Sequence, residues 1–280
     1  MRFCLLLIII FFLNQSCGKQ ANVLKIKGSD TEVNISVLLA EAYFSQNRHT
    51  PLSVSGGGSG LGIASLMNGL ADIANSSRPM NSEEEALFKA KNIDIIPYVF
   101  AYDALAIITH PSVLTDSLSI EAIKQIFKGD ITDWQQLGLE KMPLTVYGRQ
   151  NNSGTHDYLK KKLGIEFSLH AKEMNGNAQI IEAVKVDKGG IGYVGAGYVL
   201  KNGKQADTGI KILKVHTPSS KACSPLDYDA VMSQQYYFQR PLFQYILKSS
   251  YEKAKPILAF ERSETGQKII VSNGYFPIKK

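Results

Sequence analysis

Three times along this chain a short strand-like run ends in small polar residues, and a helical pattern starts at once. Residues 23–27 alternate apolar and polar before Gly28-Ser29-Asp30-Thr31. Residues 51–55 run into Gly56-Gly57-Gly58-Ser59-Gly60, and 144–148 lead through Arg149 to Ser153-Gly154-Thr155. Helical spacing follows each: Val33, Val37, Leu38, Ala42 and Phe44 within 32–46, then 61–70, then a helix ending at Leu163. Repeated strand–helix units bury their apolar faces by placing helices on a mostly parallel sheet, so the pattern predicts an α/β protein. Further strands are expected at 72–75, 102–109, 191–194 and 236–247. Helices are expected at 120–128, 249–260 and near 265–272.

The loops carry a common chemistry. The first N–H groups of a helix have no intrahelical partner, and the aligned peptide dipoles make that end partly positive. Glycine lets the backbone approach a ligand, and Ser or Thr hydroxyls add donors, so such a turn suits a phosphate, sulfate or carboxylate. One such loop is an ordinary capped turn. Three at the carboxyl ends of strands point to a ligand site, because open α/β sheets bind there. Arg149, four residues before Ser153, adds a planar fork suited to an oxyanion, with a surface ion pair as its other role.

The 280 residues suffice for two domains of ordinary size. With 44% hydrophobic and 20% charged residues the chain is globular rather than disordered or fibrous. A net charge of +6 is mild for this length, and Lys160-Lys161-Lys162 reads as a solvated helix face, so no nucleic-acid partner is expected. No metal-ligand spacing joins the five histidines, and no Gly-Lys-Ser/Thr closes a glycine loop. Gly190, Gly192 and Gly195 match a dinucleotide pattern literally, but Ile191, Tyr193 and Val194 between them read as strand. Ser153 with His156 lacks the glycines of a nucleophile elbow, Asn151 and Thr155 standing in their places. No cofactor is expected.

Arg2 followed by an unbroken apolar run over 3–13 is too short to span a bilayer and suits a signal peptide, here residues 1–16. Cys17 behind it matches the lipidation site of bacterial lipoproteins, with Asn14 where that pattern prefers an aliphatic residue. Acylation of Cys17 is expected, ordinary secretion being the alternative. Cys223 is then far from any partner, and no disulfide framework follows.

The three loops, in this order and spacing, resemble the phosphate-binding proteins of bacterial phosphate ABC importers. The likeness extends to Ile126-Phe127-Lys128-Gly129, Ile131-Thr132-Asp133-Trp134, Leu137-Gly138, Gly190-Ile191-Gly192-Tyr193-Val194, Gly266-Gln267 and Gly274-Tyr275-Phe276-Pro277. It implies a two-lobed, type II periplasmic-binding-protein fold, each lobe a mixed, mostly parallel sheet flanked by helices. Lobe one would be 22–104 plus 236–280, and lobe two 105–235. It further implies phosphate held between the lobes by Ser29, Thr31, the Glu32 amide, Ser59, Ser77, Arg149, Ser153, Gly154 and Thr155. The expected partners are the membrane subunits of the importer and, through the lipid anchor, the bacterial cell membrane on its extracytoplasmic, periplasmic side; the chain itself is expected to be a monomer. Ser77 stands where several family members carry an Asp that accepts a proton from phosphate, which leaves sulfate or another oxyanion as the alternative cargo. Arg78 beside it either contacts the anion or braces the loop. A phosphatase using the same cleft is a further alternative, for which no nucleophile–base–metal set is evident.

Overall fold

The computed structural model describes residues 23–48, 50–201 and 205–278; the leader and Cys17 lie outside them. The first half alternates as its pattern predicts: β1 (Leu24–Gly28), α1 (Asp30–Gln46), β2 (Leu52–Ser55), α2 (Ser59–Met67) and β3 (Ile73–Ser76). β1 pairs in parallel with both β2 and β3. On α1, Ile35, Leu39 and Tyr43 recur every four residues and are buried, which fixes the face turned to the sheet. A helix not evident from the spacing, α3 (Ser82–Ala90), follows a capping box. There Asn81 accepts the Glu84 amide while the Glu84 side chain accepts the Asn81 amide.

A 15-residue strand, β4 (Ile95–Thr109), then carries the chain into its second half. There come β5 (Ser117–Ser119), α4 (Ile120–Lys128), β6 (Thr145–Arg149), α5 (Gly154–Leu163), β7 (Lys172–Met174), α6 (Asn177–Val186) and β8 (Gly190–Gly195). The helix α4 has the bounds that its sequence predicts, because Ser119 Oγ accepts the Ala122 amide at one end and Gly129 turns left-handed at the other. After the short pair β9 (Leu200–Lys201) and β10 (Gln205–Ala206) come β11 (Lys211–His216) and α7 (Tyr228–Met232). Then β12 (Gln239–Leu247), α8 (Tyr251–Arg262) and α9 (Glu264–Ser272) return to the first half.

Apart from the β9–β10 pair, the strands form one mixed sheet in the order β2-β1-β3-β12-β4-β8-β6-β7, with β11 joined to β4 and β5 joined to β11. β4 is shared. Its first part pairs antiparallel with β12 and its last five residues pair with β8. It starts seven residues before the expected Tyr102 because Pro97 conceals the run; there β4 has β12 as its strand partner, opposite Tyr245, and an edge tolerates a missing N–H. The apolar interior is divided. One part gathers Leu24, Ile26, Leu39, Phe100, Leu242 and Ile257. A second gathers Leu105, Ile107, Phe127, Trp134, Tyr193 and Phe238, and two smaller ones centre on Ile108, Ile180 and Val194 and on Ile63, Leu66 and Phe88.

Candidate functional site

The three loops meet. β1 passes into α1 at Ser29, β2 into α2 at Gly58, and β6 into α5 at Ser153. Thr31 Oγ1 and Thr155 Oγ1 are 2.9 Å apart. Ser59 Oγ accepts the Ser77 amide at 3.1 Å and lies 3.5 Å from Ser77 Oγ. Gly154 faces that pair so closely that a Cβ on it would run into Ser59 Oγ and come within 2.7 Å of Ser77 Oγ. Thr31, Ser59, Ser77, Ser153 and Thr155 are each at most 2% exposed. Hydroxyls from distant loops therefore converge on the start of α5, where amides lack intrahelical partners.

Backbone contacts hold the loops together. Asn152 O accepts the Gly60 amide at 3.0 Å, and Asn152 Nδ2 donates to Gly57 O at 3.1 Å. Gly58, at φ +104, lies against Asn152 O so tightly that a Cβ would sit 2.8 Å from it, so glycine is needed both for conformation and for space. Ser153 Oγ accepts the His156 amide at 3.4 Å as the cap of α5. The His156 ring instead stacks on Phe167 at 4.5 Å and has Nδ1 3.4 Å from Tyr193 Oη, and burial lowers its pKa.

Two predicted residues sit differently. The Glu32 amide donates to Ser29 O at 3.1 Å. The Glu32 carboxyl is fully buried, both of its oxygens lack a hydrogen-bond partner, and burial pushes its pKa far up. Burial thus favours the neutral acid over the carboxylate, and it is the carboxylate that would repel an anion at this helix start. Ser29 donates its amide to Asn75 O at 2.9 Å, and its buried Oγ is without a partner.

Arg149 is 1% exposed and turned toward the first loop. Its Nη1 donates to Asp30 Oδ2 at 3.1 Å, Nη2 to Asn175 O at 3.0 Å and Nε to Gln150 Oε1 at 3.3 Å. Asp30 Oδ2 also accepts the Asn177 amide at 2.8 Å and Asn177 Nδ2 at 2.7 Å. Three of five guanidinium N–H groups are thus directed to protein. Arg78 takes the bracing role: Nη1 and Nη2 each reach Glu84 at 2.7 Å, and Nε lies 3.4 Å from Asp157 on α5.

A buried ion pair that no sequence motif marks lies beside these hydroxyls. Arg240 Nη2 donates to Asp103 Oδ2 at 2.8 Å, to Thr155 Oγ1 at 3.1 Å and to Thr31 Oγ1 at 3.4 Å. The signal is visible: Asp103 and Arg240 each stand alone as a charge near the start of an otherwise apolar strand run, and charges there must be paired. Among the described residues no group of three or more His, Cys, Asp or Glu is placed to hold a metal, and no helix is long and apolar enough to cross a membrane.

Residues 16–260 match the model of the PBP superfamily domain. Protein SphX of Synechococcus elongatus is 31% identical over 251 residues, spanning 86% of this chain and 72% of SphX. Phosphate-binding protein PstS of Borreliella burgdorferi is 29% identical over 290 residues, 98% of each chain. A solved Clostridium perfringens protein with bound phosphate superposes at a TM-score of 0.81, with 26% identity, over 92% of this chain and all of that one. An ABC-type phosphate transport receptor from Vibrio cholerae reaches 0.70, with 28% identity, over 90% of this chain and 99% of its own. With the paired sheet halves and the convergent helix starts described above, these matches establish the two-lobed fold: the chain belongs to the PBP superfamily and, within it, to the PstS-type substrate-binding proteins.

Proposed function

We propose that this protein binds inorganic phosphate in a cleft between its two lobes, outside the cytoplasm, and hands it to an ABC importer. The convergence of Thr31, Ser59, Ser77 and Thr155 hydroxyls on the start of α5 carries the reading. Relatives named as phosphate-binding and a similar structure with bound phosphate support the choice of cargo. Phosphate would take its bonds from these hydroxyls, from the Gly154 and Thr155 amides and from the free N–H groups of Arg149, with Ser29, Ser153 and the Glu32 amide framing the turns. Each charge-assisted bond contributes about 1.5–3 kcal/mol, and closure excludes the water that would weaken it.

The lobes would comprise 22–104 with 236–280, and 105–235; the two largest core clusters follow this division except at Ala104, Tyr236, Phe238 and Phe276, which pack with the second. β4 and the chain leading into β12 cross between them and would act as the hinge. Acylated Cys17 would anchor a monomer at the membrane face, since several acyl chains on one residue bind stably. The role is binding rather than catalysis: Ser153 Oγ is spent on a backbone cap, and the His156 ring packs on aromatic neighbours. Ser77 favours one second reading, sulfate, because a hydroxyl does not demand a protonated ligand as a carboxylate does.

Calorimetric titration of residues 18–280 with phosphate and then with sulfate tests both. Micromolar or tighter phosphate binding is expected; heat from sulfate alone would replace the cargo, and no heat from either would remove the reading.

A further inference from the structure

Arg240 is a charged side chain that the phosphate-binding reading leaves without a task. It lies opposite Asp103 in the register of β12 and β4, and the two are 1% and 0% exposed. Its Nε and Nη2 both donate to Asp103 Oδ2, at 3.1 and 2.8 Å. Asp103 Oδ1 in turn accepts the Ala196 amide at 3.2 Å, so the carboxylate is held from both sides. The Tyr158 ring lies 5.1 Å from the guanidinium carbon, and Tyr158 Oη is tied to Gln239 O at 3.0 Å. The guanidinium is therefore oriented by an acid on one edge and an aromatic ring beside it.

Its hydrogen bonds are unevenly shared. Nη2 has two hydrogens and three acceptors within 3.4 Å: Asp103 Oδ2, Thr155 Oγ1 and Thr31 Oγ1. Nη1 also has two hydrogens and, although buried, no partner at all. An unpaired buried donor on a cation is costly, and a plain structural ion pair would not leave one. The two hydroxyls that Nη2 touches are the same ones that approach each other across the cleft. An anion bound to Thr31 and Thr155 comes within reach of this guanidinium.

Resting on the reading of the cleft as a phosphate site, we propose that Arg240 is a second guanidinium of that site, a direct donor to the bound oxyanion, and that Asp103 is its positioning residue. The site then has two forks, each tethered to one carboxylate: Arg149 to Asp30 and Arg240 to Asp103. Each tether holds its cation in place while leaving N–H groups for the ligand. A planar fork at this point also makes Lys a poor substitute, because an ammonium cannot serve the acid and the anion with the same geometry.

The test is calorimetry with inorganic phosphate on residues 18–280, unaltered and in two variants. Arg240→Lys keeps the charge and loses the fork. Arg240→Gln with Asp103→Asn removes both charges together, so no lone buried ion is left to unfold the protein. The expected result is a Kd weakened about 10- to 100-fold in the double variant, and by a smaller factor in Arg240→Lys. Melting of the ligand-free proteins is followed in parallel, and phosphate should raise the melting temperature of the variants less than that of the unaltered chain. A purely structural role predicts the opposite: a lower ligand-free melting temperature with an unchanged Kd, and that result in either variant overturns the proposal. Failure of the unaltered protein to bind phosphate is a different result, which removes the cleft reading and this proposal with it.

Discussion

Thr31 Oγ1 and Thr155 Oγ1 lie 2.9 Å apart, one at the start of α1 and the other at the start of α5, separated by 124 residues of chain. Neither position is near the other except through closure of the two halves of the sheet. Their contact therefore reports how the helix starts are brought together. Tyr275 Oη donates to Thr31 O at 2.7 Å and fixes one side of it from the C-terminal segment.

Thr155→Val tests this contact directly. Valine keeps the shape and deletes the hydroxyl, so the fold should survive while one charge-assisted bond to the ligand is lost. Phosphate affinity should fall about 10- to 100-fold by calorimetry. An unchanged affinity would place the ligand elsewhere.

Gly154→Ala probes the space rather than the donors. Gly154 has no left-handed φ, and alanine suits a helix start, so the backbone accepts it. Its methyl would nevertheless collide with Ser59 Oγ and press on Ser77 Oγ. Phosphate binding should weaken by more than about 10-fold, and urea unfolding should show the ligand-free protein destabilised by about 1–3 kcal/mol, since the methyl overpacks a buried site. Small-angle scattering should show that phosphate no longer compacts the variant.

Ser77→Asp should sharpen selectivity. A carboxylate beside Ser59 and Gly154 accepts a proton from phosphate but only repels fully ionised sulfate. In a competition titration the preference for phosphate over sulfate should rise by about 10-fold or more. Loss of both ligands in equal measure would count against Ser77 lying at the anion.

A pH dependence follows from Glu261. Its Oε1 accepts Gln244 Nε2 at 3.0 Å, and burial pushes its pKa from 4.5 to about 8. The folded state thus holds a proton that the unfolded state gives up. The contribution to stability is fully present below about pH 4.5 and is lost as pH rises through 8. Within this window unfolding free energy should fall by up to about 1.4 kcal/mol per pH unit for this group. Glu32, also raised by burial, acts in the same direction. Urea denaturation between pH 5 and 8 should show the decline, and Glu261→Gln should reduce its slope, leaving the part due to Glu32.

Much of the site is legible in the amino-acid order. The Gly-Ser-Asp-Thr, Gly-Gly-Gly-Ser and Ser-Gly-Thr turns are local devices: glycine relieves backbone strain, small hydroxyls cap helices, and both act within a few residues. Such signals locate three helix starts to within a residue or two, as at Ser59 and Gly154. The orientation of Arg149 was not legible, because Asp30 and Asn175 reach it from segments that no spacing rule connects. The first part of β4 was also hidden, since Pro97 argues against a strand until its neighbours are known.

By itself, then, the amino-acid order determined the strand–helix alternation, the helix starts with their hydroxyls, and the residue types able to meet an anion. The tertiary structure alone decided that those starts share one buried point, that Arg149 leans on Asp30, and that Arg240 faces Thr31 and Thr155 beside Asp103. The reason is range. Periodicity and caps depend on neighbours a few residues away, whereas β12 meets β4 across 137 residues of chain at Arg240 and Asp103, and only their register sets the two against each other.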